Sequence, residues 1–259
     1  MCGRYLLLSS LEAFRRLFGY PQEPSFPPRY NVAPTQPVPI VRMVEGERQF
    51  ALVRWGLVPS WVKDPRNFSL LVNARVESVN DKPAFRNAMR RRRCLFPADG
   101  FYDWKEEGAR KRPFCIRPRD RLPIAFAGLW ETWMGPNGEE METAVIITTP
   151  ANRELSALHP RMPAIVHPQA FDMWLDCTRL DALTATALLE PAPEGMLETY
   201  EISPAVNRTA NDGPALIEPL RQQPGSAEKA APAAAVPKSR RKPAREKDER
   251  QPSLFDDLA

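Results

Sequence analysis

The sequence has 259 residues, of which 43% are hydrophobic and 9% are aromatic, and its formal net charge is +4. This length and composition predict one large globular domain or two small ones, and the 29 prolines exclude an all-helical bundle. No apolar stretch approaches the roughly 18 residues that a membrane span requires, and no signal peptide is recognised, so we expect a cytoplasmic protein without a membrane partner.

The first predicted element is a short helix after Ser9-Ser10-Leu11-Glu12. This stretch resembles a capping box with Ser9 at the N-cap, and Gly19 is placed to end the helix. Apolar runs of strand length, separated by turn residues, predict strands at 38–43, 50–55, 124–130 and 144–149. Further helices are predicted at 83–92, 170–175 and 180–189.

Strands dominate this order, and the helices are interspersed without strict alternation. The pattern predicts an α+β fold with a mostly antiparallel sheet, open to barrel-like closure, and flanking helices in a single domain over residues 2–221. Residues 222–250 are rich in Ala, Pro, Lys, Arg and Glu and contain no aromatic residue, which predicts a disordered, weakly basic linker. Residues 251–259 regain apolar side chains and predict a short peptide motif.

Four cysteines are present, at positions 2, 94, 115 and 177, and none forms a C-x-x-C pair. This spacing argues against a zinc site or a disulfide framework and favours a reducing cytosol, so we expect no metal and no cofactor.

Cys2 is distinguished by its position, because a small second residue usually allows the initiator Met to be removed. Cys2 would then carry a free α-amine, with a pKa of about 7.7–8.0, beside its thiol. Such a 1,2-aminothiol condenses with an aldehyde to an imine, and the sulfur then closes a thiazolidine ring. An N-terminal Cys is also a candidate amidohydrolase nucleophile.

Several short motifs follow Cys2-Gly3-Arg4 along the chain. They are Tyr30-Asn31-Val32-Ala33-Pro34-Thr35, Trp55-Gly56-Leu57-Val58-Pro59-Ser60-Trp61, Asn73-Ala74-Arg75, Gly100-Phe101-Tyr102-Asp103-Trp104, Thr148-Thr149 and His159-Pro160-Arg161-Met162-Pro163. In this order they resemble the SRAP (SOS response-associated peptidase) family over roughly residues 2–205. The resemblance implies a protein that recognises abasic sites in single-stranded DNA and links to them covalently through the N-terminal Cys.

The resemblance and the chemistry together assign four catalytic candidates. Cys2 is the nucleophile, and Asn73 would orient its backbone or amine, although a turn Asn is the alternative. His159 suits proton transfer near pH 7, with a surface His as the alternative. Asp103 stands where the family usually has Glu as an acid or base, and its reach is one methylene shorter. His167 matches no motif and is interpreted as structural.

DNA recognition requires cations for phosphates and flat side chains for bases. By resemblance, Arg4, Arg75 and Arg161 would contact phosphates. Trp104 is expected near the site because of its neighbour, and Thr149 is expected to line the pocket with Thr148. Arg86 and the run 90–93 form a cationic cluster on a predicted helix, either a DNA contact or a solvated face.

The C-terminal Gln251-Pro252-Ser253-Leu254-Phe255 resembles the pentapeptide by which bacterial replication and repair proteins bind the sliding clamp. Gln251 would make polar contacts at the edge of the groove, while Leu254 and Phe255 fill an apolar pocket. A featureless amphipathic tail is the alternative.

Three functional hypotheses remain open. The first is a DNA-damage protein that forms a thiazolidine with abasic sites near the nucleoid. The second is an N-terminal-nucleophile peptidase that uses Cys2 with His159 and Asp103, with self-processing as its narrowest form. The third is a non-catalytic reader of modified or single-stranded DNA. Nothing in the sequence requires an oligomer, and we expect a monomer.

Overall fold

The computed structural model describes residues 2–108 and 110–220. The predicted linker at 222–250 and the predicted motif at 251–259 lie outside these residues. The strands of the described part are β1 (Tyr5–Leu7), β2 (Arg29–Val32), β3 (Pro37–Val44), β4 (Glu47–Trp55), β5 (Asn73–Arg75), β6 (Arg93–Ala98), β7 (Gly100–Glu107), β8 (Arg110–Pro118), β9 (Ile124–Met134), β10 (Glu140–Pro150), β11 (Arg161–Pro163), β12 (Ile165–Val166) and β13 (Leu197–Glu201). Its α-helices are α1 (Leu11–Phe18), α2 (Arg86–Arg91), α3 (Arg153–Ser156), α4 (Phe171–Leu175) and α5 (Ala182–Thr186). None of these helices is long and apolar enough to cross a membrane.

Five strands close into a barrel. β3 pairs antiparallel with β4 and β6, β6 with β9, and β9 with β10. Parallel pairing of β10 with β4, where Ala144 lies opposite Trp55, completes the ring. A closed ring leaves its strands without a free edge. The structure thereby confirms the predicted α+β fold with a mostly antiparallel, barrel-like sheet.

A second sheet of five antiparallel strands has the order β13-β8-β7-β1-β2. β1 lies inside it, between β7 and β2, so the N-terminal strand is hydrogen-bonded on both sides. The ring of Tyr5 packs edge-on against Trp55 at 5.3 Å and against Phe126 at 6.0 Å. These contacts join the N-terminal segment to the wall of the barrel, where Cys2, three residues before Tyr5, lies in the interior.

The predicted strands are all present, and the structure extends them, so that β4 begins at Glu47 and β9 continues to Met134. The predicted cap of α1 was wrong by one residue. Ser10 is the N-cap, and its Oγ accepts from the backbone N–H of Ala13 at 3.1 Å. Ser9 instead donates its backbone N–H to the Asp99 carboxylate at 2.9 Å. The predicted stop at Gly19 is confirmed by its left-handed φ of 68°.

Arg93 corrects the prediction of a cationic cluster over positions 86 and 90–93. Its side chain is buried at 1% exposure, and its guanidinium donates to four backbone carbonyls. The acceptors, at 2.6 to 3.1 Å, are those of Met89, Trp174, Asp176 and Leu180. Arg93 therefore ties α2 to α4 and the loop that follows it, and it does not face DNA.

We predict that Arg93→Met lowers the free energy of unfolding by about 3 kcal/mol, because four buried carbonyls lose a charged donor while an unpaired cation is removed from the interior. Arg91→Met is the matched control, since Arg91 is exposed and should change stability by no more than about 0.5 kcal/mol. Urea unfolding measures both variants. Equal effects of the two substitutions would contradict the structural role of Arg93.

Candidate active site

Strand pairing brings the four catalytic candidates together. Cys2 precedes β1, and Asp103 lies on β7, which pairs with β1. Asn73 begins β5, which pairs with β10 so that Asn73 lies opposite Ile146. His159 comes just before β11, which pairs with the end of the same β10. Four segments that are distant in sequence therefore converge where β10 meets the second sheet.

The Cys2 side chain is fully buried. Burial raises the pKa of its thiol far above the usual range, and the nearby negative charge of Asp103 raises it further. The thiol donates a hydrogen bond to the carbonyl of Arg4 at 3.9 Å. At neutral pH the sulfur is therefore a protonated thiol.

Asn73 recognises the main chain of Cys2. Its Nδ2 donates to the Cys2 carbonyl at 3.0 Å. Its Oδ1 is buried without a hydrogen-bond partner in the part of the chain that the structure describes. A buried acceptor without a partner is unfavourable unless another group completes it. The Asn73 amide therefore offers one acceptor beside Cys2.

Asp103 and His159 face each other, with 3.6 Å between Asp103 Oδ2 and His159 Nδ1. The carboxylate also accepts from the backbone N–H of Trp104 at 2.9 Å. His159 Nδ1 lies 3.0 Å from both the N–H and the carbonyl oxygen of Arg161. A neutral ring can accept from that N–H, and a protonated ring can donate to that carbonyl or to Asp103. His159 thus has a partner in either protonation state, as a proton-transfer group requires.

An open cleft of about 650 Å³ leads to this pair. Asp103, Trp104, His159 and Asn207 line it, with two lysines, Glu106 and residues 157, 158 and 160 around them. The Trp104 indole N–H donates to Asn207 Oδ1 at 2.8 Å. The cleft opens on Asp103 and His159, whereas Cys2 is buried and is not among its lining residues.

The three motif arginines differ in what their side chains contact. Arg75 is exposed. Arg161 is only 13% exposed and forms an ion pair with Glu77, whose carboxyl pKa it lowers. Arg4 donates to the Asn31 side chain and to carbonyls at positions 206 and 207, at distances of 2.8 to 3.3 Å. Arg75 is therefore the most accessible cation of the three, and two guanidinium donors of Arg4 remain for other acceptors.

The other tryptophans and the two threonines of the quoted motifs differ in how deeply they are buried. Trp55 is a core residue whose indole N–H donates to the Val72 carbonyl, while Trp61 is 58% exposed. Thr149 is buried beside Thr148 on β10, and Thr148 Oγ1 accepts from Arg161 at 3.1 Å.

Sequence reasoning missed Asn31, Asn207 and Glu77. Asn31 lies within a quoted motif, which was its only signal; the structure buries it on β2 beside Val32. Asn207 follows the last quoted motif and gave no signal, because its contact with Trp104 spans 103 residues. Glu77 ends the stretch Val72–Glu77 that carries part of the family resemblance, but no role was predicted for it.

Comparisons with known proteins match this chain to one family. The family model described as SOS response associated peptidase (SRAP) matches residues 1–209. Abasic site processing protein YoqW of Bacillus subtilis is 36% identical over 222 residues, covering 84% of this chain and 99% of that protein. Abasic site processing protein YedK of Escherichia coli is 30% identical over 228 residues, covering 85% of this chain and 100% of its own.

Solved structures agree with this assignment. A crystal structure of a protein from Bacteroides thetaiotaomicron has a TM-score of 0.72 and 27% identity, and the match covers 84% of this chain and all of that one. A second, from Bordetella bronchiseptica, has a TM-score of 0.69 and 25% identity, covering 78% of this chain and all of that one. The chain therefore belongs to the SRAP family.

Proposed function

We propose that this chain processes abasic sites in single-stranded DNA by forming a thiazolidine crosslink through Cys2. The observation that carries the proposal is the placement of Cys2 beside the Asn73 amide and the Asp103 carboxylate, with His159 facing that carboxylate. The relatives named above as abasic site processing proteins support the substrate class.

The chemistry balances without a cofactor. Once Met1 is removed, the Cys2 amine attacks the aldehyde carbon of the ring-opened deoxyribose, and the carbinolamine loses one water to become an imine. The sulfur then adds to the imine carbon while the thiol proton moves to nitrogen, which closes the ring. His159 and Asp103 supply and remove the protons for sugar ring opening and dehydration, a contribution of about 10²- to 10⁴-fold.

Asn73 would hold the amine for this attack. Its Nδ2 already fixes the Cys2 carbonyl, and its buried Oδ1 would accept from the α-amine. The amide cannot titrate, so it orients the nucleophile without competing for its proton.

The DNA strand would cross the cleft with its phosphates toward cations. Arg75 is the first of these, and Arg4 and Arg161 would contribute their remaining donors. Trp104 would stack on a base beside the lesion, and Thr149 would line the pocket. The phosphate contacts would make non-covalent binding weaken as salt increases.

We predict that this protein shifts an oligonucleotide with one abasic site on a denaturing gel. Cys2→Ser should abolish the shift, because a 1,2-aminothiol no longer exists. An oligonucleotide whose aldehyde has been reduced should also give no shift. Absence of the shift in the unaltered protein, with Met1 removal verified by mass, would refute crosslinking and favour the peptidase or the non-catalytic reader.

We predict that Asp103→Asn slows crosslinking at saturating DNA by about 100-fold, since the carboxylate that faces His159 is lost. His159→Gln should have a similar effect, and the double variant should be little slower than either, because the two residues act as a unit. Asp103→Glu should stay within a few-fold of the unaltered protein. Glu106→Gln, in the same cleft, is the matched control, and single-turnover kinetics on gels measure all five variants. Multiplicative effects of the two single substitutions would contradict a shared proton-transfer step.

The C-terminal motif would add a second interaction. We propose that Gln251, Leu254 and Phe255 bind the groove of a bacterial sliding clamp, as their resemblance to clamp-binding peptides implies. Tethering would raise the concentration of the folded domain near replicating DNA.

We predict that truncation after Arg250 abolishes binding to an immobilised clamp and leaves crosslinking of a free oligonucleotide unchanged. Leu254→Ala with Phe255→Ala should reproduce the loss, because both apolar contacts disappear. Surface plasmon resonance provides the measurement. Undiminished clamp affinity in the truncated chain would exclude the tail as the binding segment.

A further inference from the structure

A late segment of the chain reaches the cleft through Asn207. It begins with a single 3-10 turn at Pro204–Asn207 and continues to position 211; we call residues 204–211 the strap. Val206 is fully buried and packs with Tyr102, whereas Asn207 is exposed on the cleft. The strap thus has an apolar anchor and a polar residue that faces the site.

Two side chains from the N-terminal part of the chain, those of Asn31 and Arg4, donate hydrogen bonds to the backbone of the strap. Asn31 is 1% exposed, and its Nδ2 lies 2.9 to 3.1 Å from the carbonyl oxygens of positions 206, 208 and 211. Its Oδ1 accepts from Arg4 at 2.8 Å, and Arg4 also donates to two strap carbonyls. Arg4 lies two residues after Cys2, so the same guanidinium connects the N-terminal segment to the strap.

A hydrogen bond connects the strap to the site. Asn207 Oδ1 accepts the N–H of the Trp104 indole at 2.8 Å. The indole has a single donor, so this contact uses all of its hydrogen-bonding capacity. Trp104 directly follows Asp103, and both residues line the cleft with His159.

We propose that Asn207 is a positioning residue for the reaction at this site, acting by fixing the Trp104 indole as a platform for the base beside the abasic sugar. The inference rests on the proposed function and deepens it. A ring that is fixed before DNA arrives loses less freedom on binding, so its orientation contributes to affinity. Asn31 and Arg4 keep the strap, and therefore Asn207, in register with the site.

The test measures non-covalent affinity for an oligonucleotide that carries a tetrahydrofuran abasic analogue, which has no aldehyde. Asn207→Ala should weaken binding by about three- to tenfold, the range expected for one neutral hydrogen bond. Trp104→Phe removes the indole N–H, so adding Asn207→Ala to it should cost no further affinity. Asn137→Ala, in the exposed turn between β9 and β10, is the matched control and should change nothing.

A second readout separates positioning from a general loss of structure. With the natural abasic site, Asn207→Ala should raise the half-saturating protein concentration and leave the crosslinking rate at saturation unchanged. Asn207→Ala could weaken binding equally in the unaltered protein and in the Trp104→Phe variant, or it could lower only the crosslinking rate at saturation. Either result would overturn the role of Asn207. Because the analogue cannot be crosslinked, this result is decided separately from thiazolidine formation, whose failure would appear as normal binding without a covalent product.

Discussion

The site depends on the burial of the N-terminal strand. β1 is hydrogen-bonded to β2 on one side and to β7 on the other, and Tyr5 packs against two aromatic rings of the barrel. An N-terminus is ordinarily among the least ordered parts of a chain. Here the two-sided pairing fixes Cys2 in the interior, next to the strand that carries Asp103. The proposed covalent capture by an N-terminal residue requires that this residue be held in place.

Burial also sets the order of the proposed chemistry. The raised pKa of the Cys2 thiol keeps the sulfur protonated, so it does not compete with the amine for the aldehyde. After the imine forms, the sulfur lies in the same residue as the electrophilic carbon, and ring closure is intramolecular. The cations around the site are mostly paired with protein acceptors. Recognition would therefore rely on Arg75, on Trp104 and on the covalent step more than on a strongly basic surface.

Much of the fold and of the candidate site was predictable from the sequence, for identifiable reasons. The apolar runs at 38–43 and 144–149 predicted strands because each has the length of a strand and is bounded by turn residues. The parallel contact of β10 with β4 that closes the barrel leaves no local signal. The convergence of Asn73, Asp103 and His159 on Cys2 was available only through resemblance to a family, since strand pairing sets it. Arg93 was misassigned because its partners are backbone carbonyls, whose positions no side-chain pattern records.

In the proposed reaction, both nucleophiles of Cys2 enter the adduct. Nuclease and trypsin digestion of the crosslinked protein should yield the peptide Cys2-Gly3-Arg4 carrying the sugar fragment, less one water. That peptide should resist borohydride reduction and thiol alkylation, because a thiazolidine contains neither a free imine nor a free thiol. Mass spectrometry would contradict thiazolidine formation at Cys2 if the adduct gained two hydrogens on reduction or if its sulfur were alkylated. A sugar fragment on another peptide would contradict it as well.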